Sequence, residues 1–585
     1  MSRARTASES SGTAEARHQP ARIQAAAGSS DAVLAPPTIG AYFAAFSPAA
    51  AWDELCTWPP DVFALASLIL DHTESYRLAV SPPAGRRWPP SGDWQETVTE
   101  AAAAWREAAG GRGSVPALVA DQWEVVTRHR DLSLQALRRG EAHEVAVALL
   151  TLHALADEAC RGLAGPWFRG KEPSFERLAW RMMDERGTLA RLSPDRVRIV
   201  PKTQFSMRGI TIRSLSRYLA LVYEAVDIRW RRIEAGTRWH AATAQEFNLV
   251  LLPWPLEISA RDFQAIDGPV DMDPTAFGFF EFSPADRIDL GMVGRVLTAA
   301  CRQATRVDAL ILPEGAVEEG DIGPLEQLAA DHGLTFLIAG VRRPGSPGAL
   351  GGNYVHFGVL TSEGWERFRQ AKHHRWCLDE QQIRQYHFSR VLDPGKVWWE
   401  GIELSPRTLE VIDLGGGGTI APLVCEDLAR MDEVTDLLRR FGPSFVVALL
   451  LDGPQLPARW PCRYASVLAD EPGAAVLTLT SFGMAHRSRP RGKQASRAVG
   501  LWRDPTTGLH ELDLERGASA LLVTTSVSPK VVWTGDGRCH RKYSPAVVLS
   551  GVHQLRVSSR VALRRRPQGR VPDPQPEGGC DVEVG

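Results

Sequence analysis

The sequence predicts an α/β protein whose N-terminal part is mostly helical. Two changes of pattern predict this. Between residues 39 and 192 apolar residues recur at helical spacing, and from about residue 246 short β-rich apolar runs alternate with helical stretches. A third observation concerns the ends of those runs, several of which close on residues able to do chemistry. The expected layout is a disordered arm over 1–38, a helical accessory domain over 39–192, a connecting strand and helix over 193–245, an α/β domain over 246–556 and a disordered tail over 557–585.

The arm is rich in Ala, Ser and Gly and too poor in apolar residues to order itself. A helix start and stop pattern surrounds Pro59-Pro60, and Asp93 stands where a second helix begins. Further along, Val145, Leu149, Leu152, Leu155 and Ala156 fall on a helical face. Trp105, Trp123 and His153 are read as packing residues. Over 193–245 the expectation is one strand, VRIVPK, and one long helix, TIRSLSRYLALVYEAVDIRWRRI. The α/β region then offers strands FNLVLLPWP, VDALILPE, TFLIAGV, NYVHFGVL, TIAPLVCED, SFVVALLL, AAVLTLTSF and ALLVTTSV, with helices over 289–305 and 323–333. In the first of these helices Val293, Val296, Leu297 and Ala300 share the face that would pack on a sheet.

Composition excludes several classes. With 585 residues, 44% of them hydrophobic, the chain can build more than one core. A net charge of -2 supplies no basic field for nucleic acid or an anionic membrane. The longest apolar runs fall well short of the ~18–20 residues of a membrane span, and the first residues lack the apolar core of a secretory signal. Eight Cys without a CxxC pair point away from a metal site or a disulfide framework and toward a cytoplasmic protein. No metal and no organic cofactor is expected. Gly415 to Gly418 form neither a P-loop nor a dinucleotide fingerprint and are read as a hairpin turn.

Three residues carry the chemistry. Glu314 ends the apolar run ALIL after Pro313, at the strand end where open α/β sheets keep their sites. Lys372 follows the YVHFGVL region in AKHHRWCLDE, and Cys425 ends TIAPLV and is followed by Glu426-Asp427. A carboxylate that takes a proton, a thiol that attacks and an ammonium that stabilises the resulting anion are what cleavage of a carbon–nitrogen bond requires.

This ordered set, with its flanking strands, resembles the nitrilase superfamily of carbon–nitrogen hydrolases over roughly the C-terminal three-fifths of the chain. The resemblance implies a nitrilase-like α-β-β-α sandwich. It implies Glu314 as general base, Lys372 as the oxyanion-stabilising ammonium and Cys425 as nucleophile. Glu380, eight residues after Lys372, would orient the ammonium, and the backbone N–H of Glu426 would be a second oxyanion donor. The Pro394-Gly395 turn, the Trp460 and Arg463-Tyr464-Ala465 helix, TLTSFGM at 478–484 and the hairpin GLWRDPTTGLHELDL match the family's scaffold. Leu428 to Met431 depart from its usual segment after the nucleophile, and Trp398-Trp399 are read as packing or as a roof over the pocket. The implied activity is thiol-dependent hydrolysis of a small-molecule amide or ureido substrate, with nitriles behind them. A homodimer is implied because family members stack their sheets. Two alternatives stay open: a non-catalytic sensing module with a helical effector domain, similar to the nitrilase-like modules of bacterial defence proteins, and an acyltransferase to an amine.

Overall fold

The computed structural model describes residues 37–557 except 48–51, 91, 164–173, 206–208, 224–225, 234–244, 269–271, 347–348, 416–417, 431–433, 490–493 and 541–544. The expected arm, apart from Pro37 and Thr38, and the expected tail, apart from Val557, lie outside the described residues.

The N-terminal helices gather around His143–Ala159, which is buried on every side from Val145 to Ala159 apart from the half-buried Val147. Pro59–Thr73, Trp94–Ala109 and Ala117–Arg128 pack against it. Pro59 and Pro60 open their helix, where a missing N–H costs nothing. His153 stacks on Phe63 with ring centroids 4.6 Å apart, and burial pushes its pKa down to about 3, so it packs as a neutral ring.

The long helix expected over 211–233 does not form. The segment holds a short turn of helix at Ile212–Leu215 and the strands Leu219–Val222 and Asp227–Arg232. In the second strand Ile228 and Trp230 are buried while Arg229 is exposed, a period of two that only a strand satisfies. Leu219–Val222 pairs antiparallel with Arg198–Pro201. Asp227–Arg232 instead joins the α/β region, running parallel to Thr408–Asp413 at the edge of a large sheet.

Two seven-stranded sheets form the C-terminal part. The first has the order Gly364–Ala371, Gly352–Thr361, Phe336–Arg343, Ala309–Glu318, Gln245–Leu251, Ala520–Pro529, Pro545–Leu555. The second has the order Gly508–Asp513, Ala498–Asp504, Ala475–Thr480, Phe445–Leu450, Thr419–Val424, Thr408–Asp413, Asp227–Arg232. Alternation along the strands divides the apolar side chains between two cores. Leu249, Leu251, Ala309 and Ile311 face the other sheet, whereas Val250, Leu252, Leu310 and Leu312 face the helices Leu290–Gln303 and Ile322–Asp331. Val293, Val296, Leu297 and Ala300 do line the buried face of the first of these helices. Phe445–Leu450 and Ala475–Thr480 meet Ala309–Glu318 across the interface, and the helix Trp460–Asp470 covers the far side of the second sheet. The result is the expected α-β-β-α sandwich. Its hairpins also fall where expected: Leu414 and Gly418 close one turn, and Asp504 accepts from the N–H groups of Thr506 and Thr507 in another.

A small sheet of Phe263–Ile266, Phe277–Phe282, Val397–Glu400 and Cys377–Leu378 carries an aromatic cluster that includes Phe263, Phe280, Trp376 and Phe388. Trp398 packs there, over Gly278. Among the described residues no helix is long and apolar enough to cross a membrane.

Candidate active site

Glu314 sits on a bulge. Strand Ala309–Glu318 pairs in register with Phe336–Arg343 up to Leu312 and resumes at Val317, so the residues between are thrown out of the ladder. The neighbouring strand accommodates this only because residue 340 is glycine. A Cβ there would lie 2.3 Å from Glu314 Cα and 2.3 Å from the Pro313 carbonyl oxygen. The bulge turns the Glu314 carboxylate into the protein, where it is fully buried.

Lys372 follows strand Gly364–Ala371, and its N–H donates to the Asn353 carbonyl at 2.9 Å. Its side chain is 1% exposed. The ammonium donates to Glu314 Oε1 at 2.7 Å and to Glu400 Oε2 at 2.5 Å. Asn353 Nδ2 bridges the same two carboxylates, at 2.8 Å to Glu314 Oε1 and 2.8 Å to Glu400 Oε1. Glu400 Oε2 also accepts from the Trp376 N–H at 3.1 Å. An ammonium has three protons, so these bonds leave one for another acceptor. Burial alone would lower the Lys372 pKa, but Glu314, Glu400 and the Cys425 thiol outweigh it and hold it well above the usual lysine value.

Glu380, expected beside Lys372, is elsewhere. It begins the short helix Glu380–Gln385, its side chain is 63% exposed, and it pairs with Arg384 at 2.6 Å. Asp379 caps that helix, so the segment after Lys372 turns outward to solvent. Glu400 reaches the ammonium instead, from the end of strand Val397–Glu400.

Cys425 follows strand Thr419–Val424 and has φ 43°, a left-handed conformation that a β-carbon disfavours. Strain of this kind marks a turn held in place by its surroundings. The next acidic residues divide their work. Asp427 is buried and accepts from the His373 N–H at 3.2 Å and binds His374 Nδ1 at 2.7 Å, tying the Cys425 turn to the Lys372 segment. The Glu426 side chain is half-buried and pairs with Arg430 at 3.1 Å. Burial, then the Glu314 charge, push the Cys425 thiol pKa well above its usual value, while Lys372 pulls it back. Burial and the Glu400 charge likewise raise Glu314 against the pull of Lys372. Glu314 Oε2 is buried and has no hydrogen-bond partner among the described residues, so one carboxylate oxygen remains to take a proton.

The thiol opens on a cavity of about 330 Å³ that Trp376, Tyr386, Asp452, Arg459 and Trp460 help to line. Asp452 ends the FVVALLL run as Glu314 and Cys425 end theirs, a signal the sequence contained. Asn353 and Glu400 were also missed, because a single strand-opening Asn or strand-ending Glu has no spacing that sets it apart. A larger cavity, about 670 Å³, lies at the opposite ends of the strands near Asn248, Asp308 and Thr335 and contains none of the candidate residues. Among the described residues no cluster could hold a metal ion.

No protein-family model matches the sequence, and no curated protein aligns with it at a significant level. Solved structures do overlap with it. Nit3 of Saccharomyces cerevisiae, a member of branch 10 of the nitrilase superfamily, is 12% identical over 49% of this chain and 91% of its own, with a TM-score of 0.31. A carbon–nitrogen hydrolase from Helicobacter pylori G27 is 10% identical over 48% of this chain and 88% of its own, at 0.30. The NitFhit protein of C. elegans is 11% identical over 47% of this chain and 61% of its own, at 0.29. These nitrilase-superfamily structures overlap with about half of this chain. At such TM-scores the overlap itself carries no argument about the site.

Proposed function

We propose that this protein is a carbon–nitrogen hydrolase of the nitrilase type, acting on a small amide or ureido substrate through a Cys425 acyl-enzyme. The observation that carries the reading is the buried Lys372 ammonium, hydrogen-bonded to Glu314 and Glu400 and electrically coupled to the Cys425 thiol. A fully buried cation between two carboxylates is a poor way to stabilise a fold, since apolar side chains of similar volume do as well or better. It is an effective way to stabilise an anion that forms only during reaction.

In the proposed cycle Glu314 Oε2 takes the Cys425 proton as the sulfur adds to the substrate carbon. The remaining Lys372 proton and the Glu426 N–H receive the developing oxyanion. Glu314 then gives its proton to the leaving amine. A water deprotonated by the same carboxylate attacks the thioester, and the thiol regains its proton as the acid departs. Glu314 is suited to both directions of transfer because its raised pKa makes it a better base than an exposed carboxylate. Asn353 and Glu400 position the ammonium. We further propose a cytoplasmic location, and a homodimer as the working assembly.

The test is mass spectrometry of Cys425 after incubation with amide, ureido and nitrile panels, with Cys425→Ala and Lys372→Ala alongside. A thioester on Cys425 in the wild type is expected. Cys425→Ala should lose turnover while costing about 1–2 kcal/mol of stability. Lys372→Ala should lose on the order of 10²–10³ in rate. Full turnover by Cys425→Ala would overturn the reading.

A further inference from the structure

The Cys425 cavity contains a buried acceptor that the proposed chemistry does not use. Asp452 is 5% exposed and lines the cavity together with Cys425. Its Oδ1 is committed, accepting from the Tyr386 hydroxyl and from Arg459 Nη2, the latter at 2.6 Å. Those two donors also bond each other, Arg459 Nη2 to the Tyr386 oxygen at 3.3 Å, and Gly453 N–H reaches the same oxygen at 3.3 Å. This network fixes the carboxylate. Its Oδ2 is buried and has no hydrogen-bond partner among the described residues. A buried carboxylate oxygen without a donor is costly, and proteins tolerate one where a ligand completes it.

Carboxylates outnumber cations in the lining of the cavity. Asp379, Glu426 and Asp452 contribute carboxylates to the lining, and Arg459 is the one guanidinium among the lining residues. Asp452 also acts on the nucleophile, its charge adding to burial and to Glu314 in holding the thiol pKa up. A cation seated on Oδ2 would offset that charge, so a substrate of the right kind would help to ionise its own nucleophile.

Resting on the hydrolase reading above, we propose that Asp452 is the specificity residue and that its Oδ2 receives an ammonium or guanidinium carried by the substrate away from the carbon–nitrogen bond to be cut. The substrate class is therefore amides or ureides with a basic tail. Trp376 and Trp460 line the same cavity and suit an aliphatic spacer.

Three chloroacetamides of equal length, ending in an ammonium, a methyl group or a carboxylate, test this. Each alkylates a thiol by forming an S–C bond with loss of chloride, and the thiol proton goes to the base. The rate of adduct formation at Cys425, read by mass spectrometry, should be about 10-fold higher for the ammonium reagent than for the methyl one, with the carboxylate slowest. In Asp452→Asn the spread should fall to about 2-fold. Equal rates in the wild type, or a preference that survives in Asp452→Asn, would overturn the proposal. A carboxylate reagent that is fastest would also overturn it and transfer the specificity to Arg459. Absence of labelling by any reagent would refute the hydrolase reading and this inference with it, whereas labelling without a preference would refute this inference alone. If Asp452→Asn does not fold, Asp452→Ser replaces it, and the wild-type ranking of the three tails decides in either case.

Discussion

Replacing Glu400 by Gln changes one oxygen to an NH2 and removes one charge, and the surrounding donors make that change costly. Three of them face this carboxylate: Lys372 Nζ at 2.5 Å, Asn353 Nδ2 at 2.8 Å and the Trp376 N–H at 3.1 Å. They are divided between both oxygens, so whichever way the amide turns, its NH2 meets a donor. Asn353 cannot flip to relieve the clash, because its Nδ2 also donates to Glu314. Glu400 is 6% exposed, so water does not replace what is lost. One or two charge-assisted bonds broken in a buried pair cost about 2–4 kcal/mol. A partner that orients a reacting group without touching the substrate typically affects activity about 10–100-fold. The pH effect has a definite sign. The Glu400 charge helps to raise the Glu314 pKa, so its removal moves the acid limb of Cys425 alkylation to lower pH. Urea unfolding and the pH profile of alkylation measure both effects, with Glu380→Gln as the control. That control should lie within about 0.5 kcal/mol of wild type, because Glu380 is exposed and its pairing with Arg384 runs along its own helix. If Glu400→Gln matches wild type in stability and pH profile while Glu380→Gln does not, the assignment of the second carboxylate is wrong.

Two further substitutions probe the frame. Gly340→Ala would bring a Cβ to 2.3 Å from Glu314 Cα and 2.7 Å from its nitrogen, both backbone atoms that cannot rotate away. It should cost about 3 kcal/mol or more and slow Cys425 modification, and a variant as stable and reactive as wild type would mean that the bulge does not need the glycine. Asp413 bonds the Gly415 N–H and Trp230 Nε1, yet burial pushes its pKa up from 3.8 to about 6. A carboxyl raised on folding holds its proton longer in the folded than in the unfolded state. Its contribution is therefore lost as pH rises through about 4 to 6, on the order of 3 kcal/mol. The difference in unfolding free energy between wild type and Asp413→Asn should shift by that order across this window, and a difference independent of pH would refute the buried-acid account.

The parts of this chain that sequence reading reached share a physical reason. Glu314 and Cys425 close apolar runs buried on both faces, Glu314 at the bulge within Ala309–Glu318 and Cys425 just after Thr419–Val424, and such runs announce themselves in a sequence. Lys372 was read from the resemblance, on its place beside His373 and eight residues before Glu380. Its partner was not, since Glu380 and Glu400 both come after it and only the path of the chain separates them. Asp379 caps an outward helix at one, and the small sheet returns the other to the ammonium. The error over 211–233 has the same origin. Leu215, Tyr218, Leu219 and Val222 recur at helical spacing, yet the helix reading would have placed Arg229 and Trp230 without regard to the two-residue period of their own segment. Only the empty edge beside Thr408–Asp413 makes that period decisive.

Among the described residues, the helical part of the chain contributes none of those lining the Cys425 cavity, yet it shares polar as well as apolar interior with the rest. Arg538, between the last two strands of the first sheet, is fully buried and bonds Asp536 at 2.8 Å, Glu158 at 3.0 Å and Asp157 at 3.3 Å. The two latter residues belong to the central helix His143–Ala159. Asp157 also receives the backbone N–H groups of Arg217, Tyr218 and Leu219, the approach to the strand that pairs with Arg198–Pro201. Trp94 Nε1 donates to Asp536, and Gln95 accepts from the Cys539 N–H. A buried guanidinium among three carboxylates tolerates no loss of a partner, because each loss leaves a charge unpaired in a medium that cannot solvate it. The helices therefore bear on the candidate site through the strands they anchor: the segment that Asp157 holds leads directly into Asp227–Arg232, which edges the sheet whose next strands carry Asp413 and Cys425.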